Sequence, residues 1–373
     1  MKEKNKYRIF LSPPHQSGQE LEYFNRVLQE NWLAPGGMQV EQLESQLKNI
    51  ANRKYCVALN SGTAALHLAL KALKVGPGDF VFCQSFSFVA TANPIAYVGA
   101  HPIFIDSEAT TWNMDPALLE EAIVDLHHKN IRPKAIIYAH IYGMPALVKE
   151  LLRISQTYQI PIIEDAAEAL GSSIDGKSVG QFGDISILSF NGNKVVTTAG
   201  GGALLTDDEE IAHKALMLAT QARSLNEGYQ HTEVGYNYRM SNLSAALGQA
   251  QLGMLKKWVN QKRNIFQSYQ RINASDLQVE WIDEVNGIYA NRWLSVFLFR
   301  NHATMLEAME TLLKNGIESR RFWMPLDKMG IYRIQKAYLT GMASRLFELG
   351  ICLPSGVGLT VDEQQEIIHL LSH

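Results

Sequence analysis

The sequence predicts an α/β protein, with a mostly parallel central sheet in a large domain followed by a smaller α+β C-terminal domain. Three observations carry that expectation. Short apolar runs rich in β-branched and aromatic residues recur along the first half of the chain, stretches of helical period separate several of them, and the pattern changes after Ile272. At 373 residues and 46% hydrophobic content, the chain can bury a sizeable core.

The strands are expected at Tyr55–Asn60, Phe80–Ser85, His101–Asp106, Lys134–His140, Pro161–Ala166 and Ile185–Phe190. Helices are expected between them, as at Thr63–Leu73 and Leu147–Gln159, which is the alternation of a doubly covered parallel sheet. Gly235–Ile272 reads as one long helix entered through a loop. Beyond it, Asn291–Phe299 and His302–Gly316 suggest a strand and a helix of the smaller domain. No linker rich in Pro, Gly or Ser separates the halves, so the boundary is placed inside that helix, giving residues 1–255 and 256–373.

Lys plus Arg (34) nearly balances Asp plus Glu (37), for a net charge of −3, which predicts neither a nucleic-acid nor a membrane partner. Three scattered cysteines in apolar contexts, Cys56, Cys83 and Cys352, read as reduced thiols rather than a disulfide or metal framework. The opening MKEKNKYRIFLSPPHQSG lacks the apolar stretch of roughly 7–15 residues that a signal peptide carries. No run reaches the roughly 18 apolar residues of a membrane span. These features predict a cytoplasmic protein with no metal site.

Three stretches carry chemistry. In LNSGTAALHLAL, Ser61, Gly62 and Thr63 sit where a strand ends and a helix starts, a place whose free N–H groups and dipole attract anions. An ordinary N-cap is the plainer reading. In PIIEDAAEALGS, Glu164 and Asp165 end a strand at the crevice where α/β sheets bind ligands, and Glu168 follows; an acid there also serves as an N-cap or metal ligand. In SFNGNKVVTTAGGG, Lys194 follows the next strand, where such a lysine is ordinarily a solvated surface charge. Their order changes the reading. An anion site, then an acid at a strand end, then a lysine after the next strand match the needs of pyridoxal 5′-phosphate (PLP) chemistry: a phosphate cradle, a partner for the ring nitrogen and an amine for the aldehyde.

With these motifs in place, the chain resembles the fold type I PLP-dependent sugar-nucleotide aminotransferases of the DegT type. The resemblance runs from LSPPHQSG through NSGTAALHLAL, QSFSFVATAN, IIEDAAEALGS, SFNGNK and GYNYRMSNLSAALG to ICLPSG. It implies that Lys194 joins the cofactor's aldehyde, that Asp165 pairs with the ring nitrogen, and that Gly62, Thr63, Ala64 and Ser189 hold the phosphate. Phe88 would stack on the cofactor ring, and Glu168 would lie near its phenolic oxygen. Asn237 would reach the phosphate of a neighbouring subunit, which implies a homodimer with shared sites. A lysine rather than a histidine at position 194 supports transamination over dehydration.

Further stretches resemble the branch that aminates C4 of UDP-2-acetamido-2,6-dideoxy-4-ketohexose, the bacillosamine-pathway type, with L-glutamate as amino donor. The resemblance then implies that Asn31, Trp32, Leu33 and Ala34, together with Arg320 to Trp323, line the sugar-nucleotide pocket. Trp32 and Trp323 offer flat faces, and Arg320 a bidentate fork for pyrophosphate. The chain departs from that branch at Arg320-Arg321-Phe322-Trp323, usually Arg-Pro-Leu-Trp, and at Asp327, usually His. Amination at another carbon, another nucleotide carrier, and a regulator without turnover are the alternatives.

Overall fold

Strands without a polar face need cover on both sides, and in the computed structural model helices provide it. The structure describes residues 7–223, 230–231, 233–272, 279–285 and 287–372, so the first six residues of the expected large domain and His373 lie outside the described residues. The expected strands form β1 (Tyr55–Leu59), β2 (Phe80–Gln84), β3 (His101–Ile105), β4 (Ala135–Ala139), β5 (Ile162–Asp165) and, after a short hairpin β6–β7 (Ser173–Ile174, Lys177–Ser178), β8 (Ile185–Ser189). Then come β9 (Gly202–Thr206), β10 (Glu280–Trp281), β11 (Ile288–Tyr289), β12 (Ser295–Leu298), β13 (Arg320–Arg321), β14 (Ala337–Tyr338) and β15 (Gly350–Leu353).

The central sheet has eight strands in the order β1-β9-β8-β5-β4-β2-β3-β14, and β9 alone runs against its neighbours. The carboxyl ends of β1, β2, β4, β5 and β8 therefore open on one edge, and the start of β9 joins them there. At that start the backbones nearly touch. A Cβ on Gly202 would stand 2.4 Å from the Gly62 nitrogen, so only glycine lets β9 pass the mouth of the following helix.

Among the helices, α1 (Glu20–Glu30) and α2 (Met38–Ala51) precede the sheet, and α3 (Gly62–Ala72) leaves β1. Next come α4 (Asn93–Tyr97), α5 (Pro116–His128), α6 (Val148–Tyr158) and α7 (Glu209–Ala219). Caps explain several starts. Ser61 Oγ accepts the Ala64 N–H of α3 at 3.0 Å, and Asp115, ahead of a proline at the first position of α5, accepts those of Ala117 and Leu118. The single long helix expected over Gly235–Ile272 is instead two, α8 (Asn242–Leu252) and α9 (Leu255–Tyr269). They part at Gly253 and Met254, where an almost wholly buried helix of small residues gives way to an amphipathic one.

The smaller unit is a four-stranded antiparallel sheet, β10-β12-β15-β13, packed on helices His302–Lys314 and Val361–Ser372. Two segments cross the expected division at 255. Ile9 bridges Ile317 and enters the smaller core with Phe297, Ile351 and Ile367, while β14 adds to the large sheet beside β3. Asp106, at the end of β3, ties the units further. Its buried carboxylate accepts the N–H groups of Ser107, Thr340, Gly341 and Ala343 at 2.7–2.8 Å, at the mouth of helix Met342–Leu349. Asp106→Ala is expected to destabilise the fold by about 3 kcal/mol, since it leaves those donors without their acceptor; a urea midpoint equal to the parent's would refute this.

Candidate active site

The shared edge of the sheet forms the floor of a cavity of about 980 Å³, lined from both units. Side-chain alternation along β5 sorts its two acids. Glu164 points away, fully buried, and accepts from the Gly180 and Phe182 N–H groups at 3.0 Å and from Ser186 Oγ at 2.5 Å. His140 completes that set. The Ala146 N–H donates to its Nδ1 at 2.9 Å, so Nε2 carries the proton and donates to Glu164 at 2.9 Å.

Asp165 points into the cavity and is 6% exposed. Thr91 Oγ1 donates to its Oδ2 at 2.8 Å, and the Ala167 N–H to its Oδ1 at 3.2 Å. Ser87 Oγ lies 2.7 Å from Thr91 Oγ1 and donates to it, which leaves the Thr91 proton for the acid. Burial pushes the Asp165 carboxyl above the usual carboxylate range, against those donors and the nearby Lys194 charge. A carboxylate so desolvated favours a cationic N–H partner in the cavity.

Lys194 lies on the turn after β8, held by its N–H to the Asn191 carbonyl at 3.0 Å. It is no surface charge: the side chain is 13% exposed. Its Nζ donates to Glu168 Oε1 at 3.2 Å and rests 4.0 Å from the centre of the Trp293 indole. Glu168 is held from behind by the Tyr142 N–H at 2.7 Å, and burial raises its carboxyl as well. Tyr142 is itself left-handed, at φ 52°, before Gly143, where a Cβ would meet Asn291 Oδ1 at 1.9 Å. Asn291 crosses between the units, donating to the Glu168 and Leu170 carbonyls at 2.9 Å.

At the start of α3, Ser61, Gly62 and Thr63 line the cavity with Ser189 opposite. Ala64, expected beside them, does not line it, because Ser61 Oγ takes its N–H and it packs inward. The first N–H groups of a helix have no acceptor inside it, so Gly62 and Thr63 remain free for an anion. Phe88 lines the cavity, the residue 51% exposed and its ring 5.9 Å from that of Trp323. The residues present therefore fit PLP: a buried acid for the ring nitrogen, a helix mouth for the phosphate and an enclosed amine.

The expected substrate residues divide. Arg320 and Trp323 line the cavity, Arg320 held by Glu318 Oε1 at 2.6 and 3.0 Å, and Trp323 stacked on Tyr142 at 4.5 Å. Phe322 turns into the core. Asp327 does not line the cavity either, since Ser85 Oγ donates to it at the end of β2. Asn31, Trp32, Leu33 and Ala34 are exposed and lie outside this chain's cavity, drawn onto α8 by Asn242, which bonds the Trp32 and Ala34 carbonyls at 3.0 and 3.1 Å. Asn237 is also exposed and outside it; its carbonyl accepts from Asn60 at 3.2 Å. Thr91, Tyr142, Trp293 and Glu318 were not singled out from the sequence. For Thr91 a signal existed, a hydroxyl a few residues beyond a strand end in SFSFVAT, while Trp293 sits in a stretch that reads only as a strand.

The chain is similar in sequence and in fold to known proteins. The Bacillus subtilis protein EpsN, named as a pyridoxal phosphate-dependent aminotransferase, is 44% identical over 98% of this chain and 95% of its own. GDP-perosamine synthase of Escherichia coli O157:H7 is 34% identical over 94% of each. Among solved structures, the sugar aminotransferase Spr1654 of Streptococcus pneumoniae in its PMP form superposes with a TM-score of 0.89 at 26% identity, covering 97% of this chain and 98% of that one. The DegT/DnrJ/EryC1/StrS aminotransferase family matches residues 14–372, and the chain belongs to that family of PLP-dependent sugar aminotransferases, with their fold type I architecture.

Proposed function

We propose that the protein transfers the amino group of L-glutamate to C4 of a nucleotide-linked 4-keto-6-deoxy sugar, UDP-2-acetamido-2,6-dideoxy-4-ketohexose, in the cytoplasm. The products are the 4-amino sugar, for a surface polysaccharide or glycoprotein glycan, and 2-oxoglutarate. The observation that carries the reading is the placing of Asp165, Lys194 and the α3 mouth on one cavity floor, beneath a wall that includes Trp323 and Arg320. When bound, PLP supplies an electron sink for the carbon that loses its proton.

The chain's own residues do the rest. The Gly62 and Thr63 N–H groups and the Ser189 hydroxyl would hold the phosphate, and Phe88 would supply an aromatic face for the ring. Asp165 accepts the ring nitrogen's proton in a hydrogen bond and keeps the positive charge there. Lys194 Nζ takes the proton from the α-carbon of glutamate, and in the second half delivers one to C4 of the sugar. Glu168 keeps that amine within reach between the two steps.

Arg320 meets the substrate's diphosphate. Arg320→Ala is expected to raise KM for the nucleotide sugar about tenfold, with the glutamate half-reaction unchanged; an effect on the glutamate half alone would refute the placement. The exposed Asn237, Trp32 and Leu33, absent from this chain's own cavity, support a homodimer in which each copy completes the other's site. A second reading, a GDP-linked ketosugar, is favoured by the similarity to GDP-perosamine synthase. Assay of UDP- and GDP-linked ketosugars with glutamate, with the amino sugar identified by NMR, decides between them.

A further inference from the structure

Trp293 is fixed at three polar groups, one on its indole and two on its backbone. Its Nε1–H donates to the Asn193 carbonyl at 2.7 Å, its backbone N–H to Asn291 Oδ1 at 2.8 Å, and its carbonyl accepts from Lys262 Nζ at 3.1 Å. Lys262 is buried on α9, and its Nζ also donates to the Ser355 carbonyl at 2.7 Å. Both of those bonds end on carbonyls rather than carboxylates, and burial draws its ammonium down to about 7. So costly a group is placed where it pins the Trp293 carbonyl to the end of β15.

The indole in turn holds two parts of one turn. Its edge binds the carbonyl of Asn193, and its face lies 4.0 Å from the Nζ of Lys194, the next residue. Glu168 Oε1 provides the second contact to that Nζ, at 3.2 Å. An amine set between a carboxylate and an indole face has its direction fixed, because the ring quadrupole attracts it along the face normal. A lysine with four rotatable carbons otherwise samples many positions, and proton transfer tolerates few of them.

We propose that Trp293 is a positioning residue for Lys194: its indole face seats the amine whenever that amine is not joined to the cofactor, so that it meets the aldehyde and the reacting carbons in one orientation. The proposal rests on Lys194 being the reacting lysine. It adds a residue of the smaller unit to the catalytic turn of the larger one, and makes Asn291 and Lys262 its mount.

The test uses the full-length chain freed of cofactor, mixed with PLP, quenched with borohydride at timed intervals and mapped by peptide mass. Trp293→Leu is expected to slow covalent capture at Lys194 about fivefold, within the range a cation–π contact supplies. Trp293→Phe, which keeps a ring face, is expected to stay within about twofold of the parent. In the reconstituted enzyme, Trp293→Leu should lower the rate constants of both half-reactions by a similar factor and leave KM for glutamate unchanged. Capture by Trp293→Leu at the parent rate, or an equal loss in Phe and Leu variants, overturns the proposal. Should the Leu variant fail to fold, Trp293→Met carries the same expectation, since a flexible thioether fills the space without a ring face. Capture mapped to another lysine in the parent protein would instead overturn the assignment of Lys194.

Discussion

Lys194→Ala is expected to lower turnover by about 10⁴-fold or more and to abolish the visible absorbance of covalently captured cofactor. The substitution removes the only lysine lining the cavity among the described residues, and with it, on the proposed mechanism, both the amine that joins the aldehyde and the base that moves the proton. The fold should survive. Glu168 loses its ion pair, but its carboxyl is already raised by burial and keeps the Tyr142 N–H, so it takes up a proton instead of standing as an uncompensated charge. Lys194→Arg separates two explanations. It keeps a cation beside Glu168 and Trp293 but supplies no amine that can condense with an aldehyde, so it should be as inactive as the alanine variant. Turnover by either variant above about 1% of the parent would refute the assignment.

The placing of Lys194 and Asp165 on the cavity was legible because one follows a strand and the other ends one, and strand ends in a parallel sheet gather at one edge whatever the order of strands. The placing of Ser61–Thr63 on the same cavity was legible for the same reason. What one sequence leaves open is which distant segment arrives at that edge. Thr91 reaches Asp165 because β2 lies two places from β5 in the sheet, and Trp293 reaches Lys194 because the smaller unit folds over it. Neither follows from spacing along the chain. The choice between Glu164 and Asp165 depended on which face of β5 meets the cavity, and adjacent residues in a strand differ in that alone. The helix break at Gly253 escaped notice because the residues on either side keep a helical period; what changes there is the partner. Asn31–Ala34 were expected at the pocket on resemblance; in this chain Asn242 holds them against α8, exposed and outside its own cavity.

Asp165→Asn should lower the rate of both half-reactions by about 10²–10³-fold, the cost of losing a charge aimed at a developing electron sink. The amide matches the acid in size; with its oxygen kept toward the Ala167 N–H, its NH2 faces the Thr91 hydroxyl, which can turn to accept, so the loss is electrostatic rather than steric. On the proposed mechanism a neutral side chain would no longer hold the proton on the ring nitrogen, and electrons leaving the reacting carbon would have a weaker place to go. The pH dependence follows from the sign of the Asp165 shift. Burial raises its carboxyl, so as pH falls it takes up a proton earlier than an ordinary aspartate and loses the charge proposed to pair with the ring nitrogen. Cofactor retention in the parent should therefore fall on the acid side at a pH above the usual carboxylate range, and Asn should remove that limb. Thr91→Val should move the limb further up, because it deletes the hydroxyl that favours the ionised acid. A Thr91→Val profile shifted to lower pH, or an Asn variant with the parent's rate, would show that Asp165 does not partner the ring nitrogen.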